Sequence, residues 1–289
     1  MSTTKVQARK PAAPKHSFTS PSGVVYSLEL VTPEIAETWL GHNVNNRSVR
    51  KSGVNALARD MESDAFMENG DAICFDVDGN LIDGQHRLMA RVQSGTSGWM
   101  LIVRNLAAAV QDTKDDGKKR TMADTFAFHG IENNSAAAAV TRRVILWQNG
   151  IRANSGGNYV PTKAEQNELW RTDPTLRSAV EATVQMGRRA LLPPSIVGLT
   201  WWLFSNISVE DCTAFWYGVS TGANLEPGSP ILLLRERVTK AIGEPGRIPE
   251  SHLLAWTIKA WNLWRQGRTL STNYRGFALK PLERFPEPR

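Results

Sequence analysis

The strongest constraint on how this chain folds is a change of pattern near residue 130, before which strand and helix signals alternate and after which strand signals nearly disappear. Val24 to Leu30 is a β-branched and aromatic run that reads as a strand, and Pro33 then opens a short helix through Trp39 and Leu40. Val54, Leu57, Ala58, Met61 and Ala65 recur at helical spacing, which predicts a helix from Val54 to Phe66 with one face in a core. Asn69-Gly70 turns the chain into a strand running from Asp71 through Val77, and Asp78-Gly79 is a hairpin signal that returns it through Leu81-Ile82. Leu88 to Val92 continues as a helix stopped by Gly95 and Gly98, and Trp99 to Val103 reads as another strand.

Helix punctuation is regular in the second half. Ser135 precedes an alanine-rich run that ends before Gly150, Thr162 with Glu165 forms a capping box, and Asp173-Pro174 places a cap before a proline start. Ser208 with Asp211, and Pro249 with the run to Arg268, repeat the pattern. Eight of the ten tryptophans lie from Trp147 onward, enough aromatic bulk for a separate core, and the spacing of Trp256, Trp261 and Trp264 predicts packing residues rather than stacking platforms. With 289 residues, 41% of them hydrophobic, the chain can support two cores. The expected class is α+β: a basic tail over 1–17, an α/β domain over 18–130 and an all-α domain over 131–289.

Charge and cysteine content narrow the setting. Of the net +6, the tail residues Lys5, Arg9, Lys10 and Lys15 supply +4 ahead of the first acid, Glu29. A tail of this kind either solubilises the chain or holds it near phosphates. From Arg235 onward eleven Lys and Arg face five Glu, a second candidate polyanion surface. The longest apolar stretch, around Ala190 to Phe204, is shorter than the roughly 20 residues a span needs and contains Pro193-Pro194, so no membrane partner is expected. No apolar run follows the N-terminal charges, which places the chain in the cytoplasm. Cys74 and Cys212 sit in apolar contexts and read as buried thiols.

The segment with chemical content is Asp83-Gly84-Gln85-His86-Arg87, between a short strand and a helix. A helix N-terminus presents unpaired N–H groups and partial positive charge, so it can hold a phosphate. Gly84 has no Cβ to keep the phosphate away, Arg87 can clamp it, and His86 can donate or relay a proton. Asp83 then either positions Mg²⁺ or acts as a base. The alternative reading of the same residues is structural, with Asp83 capping the helix and His86 and Arg87 in solvent.

The stretch from Val54 to Leu106, roughly a fifth of the chain, resembles the ParB/sulfiredoxin superfamily. Leu81 to Ala90 is similar to the Gly-Glu-Arg-Arg box of ParB proteins, the Gly-Cys-His-Arg box of sulfiredoxins and the Asp-Gly-His-His-Arg box of ParB-like free serine kinases. It matches the DGQHR domain of DndB-type and many phage proteins. The resemblance implies that Gly84, Gln85, His86 and Arg87 bind nucleotide, with Asn69 and Gly70 on an approaching loop. Gln85 stands where sulfiredoxin needs its cysteine, and a carboxamide cannot attack a sulfinyl phosphate, so peroxiredoxin repair is excluded. A partition helix-turn-helix is not evident.

A further charged run, Asp112 to Thr121, can either be a solvated loop or fold over the cradle, with Arg120 on phosphate and Asp116 on metal. The expectation is a nucleotide-binding protein of phage or mobile-element origin that takes ATP or CTP with Mg²⁺. Asp83 and His86 are its catalytic candidates, Asp83 and Asp116 its metal candidates, and the output is phosphoryl transfer, NTP hydrolysis or a nucleotide-gated switch. The second reading is a DndB-like regulator that binds DNA without catalysis. A homo-oligomer is compatible with either. A nuclease is the weakest reading, because no acidic cluster has two-metal spacing.

Overall fold

The computed structural model describes residues 16–43, 48–107, 110, 120–152, 157, 159–243, 248–271, 274–279 and 282–289. It divides into two compact units, Met1–Lys118 with Asn158–Val160, and Lys119–Gly157 with Pro161–Arg289. The class is α+β: every strand found among the described residues lies in the first unit, in one five-stranded sheet, and the second unit is helical.

In the first unit β1 (Ser17–Thr19), β2 (Val25–Val31), β3 (Ile73–Asp76), β4 (Leu81–Asp83) and β5 (Gly98–Leu106) are ordered β1-β2-β5-β3-β4. The strands expected from Val24, Asp71 and Trp99 therefore share one sheet. Edge strand β1, three residues long and exposed, was too short for a periodicity to show. β3 runs parallel to β5 and the other pairings are antiparallel. Helices α1 (Pro33–Leu40), α2 (Lys51–Glu62) and α3 (Gln85–Ser94) cover one face of this sheet. Val31, Ile73, Phe75, Leu81, Met100 and Ile102 pack there against Ala36, Val54, Ala58, Met61, Leu88 and Ala90. α2 starts at Lys51, one turn earlier than the apolar spacing suggested, and ends at Glu62 because Asp64 takes φ +58°. Arg59 of α2 holds residues 159–160 through a 2.6 Å bond to the Val160 carbonyl and by lying 4.3 Å over the Tyr159 ring.

On the helix side of the sheet Arg104 pairs with Glu29, Nη2 to Oε2 at 3.0 Å, and lies over the Trp39 and Phe75 rings. Burial raises the Glu29 carboxyl, but the hydrogen bonds from Arg104 and Ser27 and the guanidinium charge outweigh it and bring the group below its ordinary value. The β3–β4 turn is held by Asp76, whose carboxylate accepts the Asp78 and Asn80 backbone N–H groups and the Asn80 amide.

The second unit holds α4 (Met122–Phe128), α5 (Asn134–Gln148), α6 (Lys163–Thr172), α7 (Thr175–Ala190), α8 (Pro194–Ser205), α9 (Val209–Thr221), α10 (Pro230–Gly243) and α11 (Glu250–Arg265). The Thr162–Glu165 capping box forms, as does the Ser208 cap on Asp211 N–H. α4 carries a Thr121–Asp124 box of its own and inserts Phe126 in the helical core. Trp216 and Trp261 are fully buried, with Phe204 stacked on Trp261 at 4.1 Å, so the late tryptophans are packing residues. Residues 282–289 lie along α11: Trp261 Nε1 donates to the Arg289 carbonyl at 3.1 Å, Asn262 Nδ2 to the Glu287 carbonyl at 2.9 Å, and Lys259 pairs with Glu283 at 2.7 Å.

Candidate functional site

Each residue of the DGQHR segment is held by a different part of the first unit. Gly84 caps α3 at φ +104°, and a Cβ there would sit 2.5 Å from Ile73 Cδ1, so both its backbone and its packing demand glycine. Its missing side chain thus serves the contact between α3 and β3. Gln85 is buried and accepts from Asn43 Nδ2 at 3.1 Å. His86 Nε2 accepts the backbone N–H of Arg50, the N-cap of α2, at 3.1 Å.

Arg87 is neither in solvent nor open to a large ligand. Its side chain is 14% exposed, Nη2 donates to the Ala72 carbonyl at 2.8 Å, and the same nitrogen lies 3.5 Å from Asp83 Oδ2. Nη1 is buried with no hydrogen-bond partner. Arg87 lines a cavity with Phe66 to Asp71, Trp99, Met100 and Leu101 whose volume is about 10 Å³, roughly the room of one water molecule. Asn69 and Gly70 belong to its wall. There Asn69 accepts the Asp71 N–H at 3.0 Å in a tight turn, and Gly70 takes φ +82°.

The opposite side of α3 is more open. A groove of about 500 Å³ is lined by Leu40, Val49, Lys51, Val54, Asn55, Met89, Val92 and Gln93. It begins beside the Arg50–His86 bond, where the N-termini of α2 and α3 meet. Neither helix has a side-chain cap from its N-cap residue, and neither has an acid in its first turn. Two positive helix ends, the Lys51 cation and an apolar groove are thereby brought together.

Compared with known protein families, curated proteins and solved structures, the chain matches none.

Arg120 belongs to the second unit, exposed and 6.0 Å from the centre of the Phe128 ring. Asp116 lies outside the described residues, as do most of the 1–17 tail and the Asp112–Lys119 part of the charged run. Among the described residues no group of three or more His, Cys, Asp or Glu could hold a metal, and Asp83 is a single carboxylate already paired with Arg87. Four cations of the run from Arg235 are engaged within the second unit. Arg235 donates to the Val219 carbonyl, Arg237 lies over Trp256, Lys259 pairs with Glu283 and Arg265 with Asp211.

The sequence reading missed Arg50, Lys51 and Asn43. The Arg50-Lys51 pair was a visible signal of a basic helix start, hidden by Gly53, which ordinarily argues against a first helical turn.

Proposed function

We propose that the first unit binds a nucleotide, ATP or CTP, with its phosphates at the junction of the α2 and α3 N-termini and its base in the groove between those helices. The observation that carries this reading is the meeting, at the Arg50–His86 bond, of two helix ends with no acid in their first turns, beside a groove of about 500 Å³. Helix ends attract phosphate through aligned backbone dipoles, Lys51 adds a full charge, and the Val54, Met89 and Val92 side chains offer the apolar contact a base needs.

The output is a switch rather than phosphoryl transfer. A general base needs an available lone pair near the acceptor, whereas His86 Nε2 is taken up by the Arg50 N–H. A phosphate approaching the junction competes for that N–H and so pulls on the link between α2 and α3. Mg²⁺, if used, arrives with the phosphates, since the described residues offer no donor set of their own. The engagement of His86 by Arg50 equally favours a DNA-associated regulator without catalysis.

The test is thermal shift and calorimetry with ATP and CTP, with and without Mg²⁺, on wild type and Lys51→Glu. Lys51 is exposed, so the variant folds. The expected result is a nucleotide-dependent rise in Tm that falls at least tenfold in apparent affinity with Lys51→Glu, without release of nucleoside diphosphate. Equal shifts in both proteins, or none in either, would remove the junction as a site.

A further inference from the structure

Residues 282–289 hold to the helical unit by a regular alternation of contacts rather than by burial. Glu283 pairs with Lys259 at 2.7 Å, Phe285 meets the Trp147 ring edge to face with centroids 6.3 Å apart, and Glu287 pairs with Arg152 at 2.7 Å. Every second side chain of an extended segment shares a face, and here that face reads acid, aromatic, acid. Phe285 and Glu287 each precede a proline, which biases both toward the extended conformation before docking. The main chain is held separately. Asn262 donates from Nδ2 to the Glu287 carbonyl and accepts the Arg289 N–H at Oδ1, both at 2.9 Å, and Trp261 Nε1 donates to the Arg289 carbonyl at 3.1 Å. Main-chain bonds of this kind hold an extended peptide whatever its sequence, while the alternate side chains choose which peptide.

The surface beneath is organised by contacts of its own. Arg152 lies 3.7 Å from the centre of the Trp147 ring and donates to the Trp147 carbonyl at 2.8 Å, and Lys259 donates to the Ala278 carbonyl at 2.9 Å. Both cations therefore stay in place when the segment leaves. The segment itself is lightly held: the Glu287 side chain is 45% exposed, and none of residues 282–289 is buried. A cleft of about 380 Å³, lined by Asn262 and by residues 283–287 and 289, keeps it from closing down fully on α11. Segments with few buried contacts open at a small fraction of the free energy of global unfolding.

We propose that this surface is a recognition groove for an extended protein segment with the pattern acid, any residue, aromatic, proline, acid, which residues 282–289 occupy in cis until a partner displaces them. Lys259 and Arg152 select the two acids, Trp147 selects the aromatic, and Asn262 with Trp261 holds the backbone. The partner is a different protein. A second copy of this chain offers the same segment with no advantage over the tethered one, whose effective concentration is on the order of millimolar. The groove belongs to the second unit and is independent of the nucleotide junction in the first.

The experiment is fluorescence anisotropy with a labelled peptide of residues 282–289 and a scrambled peptide of the same composition. The proteins are the full chain, a full-length Phe285→Ala/Glu287→Gln variant that loosens the tethered segment, and that variant with Arg152→Glu or Asn262→Ala added. Circular dichroism checks each fold, and sedimentation its oligomeric state. The loosened variant should bind the peptide at least about tenfold more tightly than wild type, and should bind the scrambled peptide at least about tenfold more weakly. Arg152→Glu should weaken binding about tenfold, and a peptide carrying Glu287→Arg should recover most of that loss, a reversal that packing alone does not produce. Asn262→Ala, a milder change, should weaken binding several-fold. Hydrogen exchange on wild type needs no variant: the Arg289 amide should exchange well before those of α11. Equal binding by wild type and the loosened variant, equal binding of the scrambled peptide, no binding, or binding unchanged by both Arg152→Glu and Asn262→Ala would each overturn the proposal. So would an Arg289 amide as protected as α11, a loosened variant that unfolds, or a dimer formed by exchange of the segment.

Discussion

The imidazole of His86 and the backbone of Arg50, 36 positions apart, are joined by a 3.1 Å hydrogen bond in which Nε2 accepts the Arg50 N–H. This bond fixes the entry of α2 against the entry of α3, and it makes His86 a structural acceptor before it is anything else.

His86→Ala removes that acceptor at a partly solvated position, where water replaces part of the loss. A fall in stability of about 0.5–1.5 kcal/mol is expected, and His86→Gln, which retains an acceptor oxygen, should restore some of it. Urea unfolding of the three proteins measures this. A His86→Ala protein as stable as wild type would show that the bond does not tie the two helices.

Gly84 and Ile73 form the second dependence. Gly84→Ala forces a Cβ to within 2.5 Å of Ile73 Cδ1 at φ +104°, a combination that should cost about 1–3 kcal/mol or more. Ile73→Val deletes Cδ1, so Gly84→Ala should cost less in that background. The Ile73 Cα, 3.2 Å from the same Cβ position, still limits the rescue. A double-mutant cycle in urea gives the coupling, and strict additivity would argue against the clash.

Cys212 supplies a pH dependence. It is fully buried in the helical core, and burial pushes its thiol up to about 12. Between its unfolded value, about 8.5, and 12 the folded chain keeps a proton that the unfolded chain releases, so stability falls as pH rises through that window. Below about pH 8 the group contributes no slope. Urea midpoints at pH 8 and pH 10.5 should separate more for wild type than for Cys212→Ala, and a thiol reagent should reach Cys212 only when the helical core opens. Rapid labelling of native protein at Cys212 would contradict the burial on which this rests.

Much of the architecture is local, and local structure is legible in one dimension. Thr162 with Glu165 and Ser208 with Asp211 form the caps their spacing announced, because a cap is an interaction over three residues. Asn69-Gly70 and the Asp76–Asn80 turn punctuate the sheet for the same reason, with φ +82° at Gly70 and +81° at Gly79. The order of alternating strands and helices before residue 130, and of helices alone after it, follows from periodicity.

The DGQHR segment shows where that reading stops. By itself the sequence determined that a strand ends, a glycine turns and a helix begins at Gly84, since turn chemistry and helical spacing are properties of neighbouring residues. Only the tertiary structure decided what the side chains do there. Gln85 meets Asn43, His86 meets Arg50 and Arg87 meets Ala72, partners separated from them by 42, 36 and 15 positions. Hydrogen-bond partners are chosen by the packing of α2, α3 and β3 around a shared core, and a polar side chain buried in that packing must bond to whatever backbone or amide the fold brings within reach.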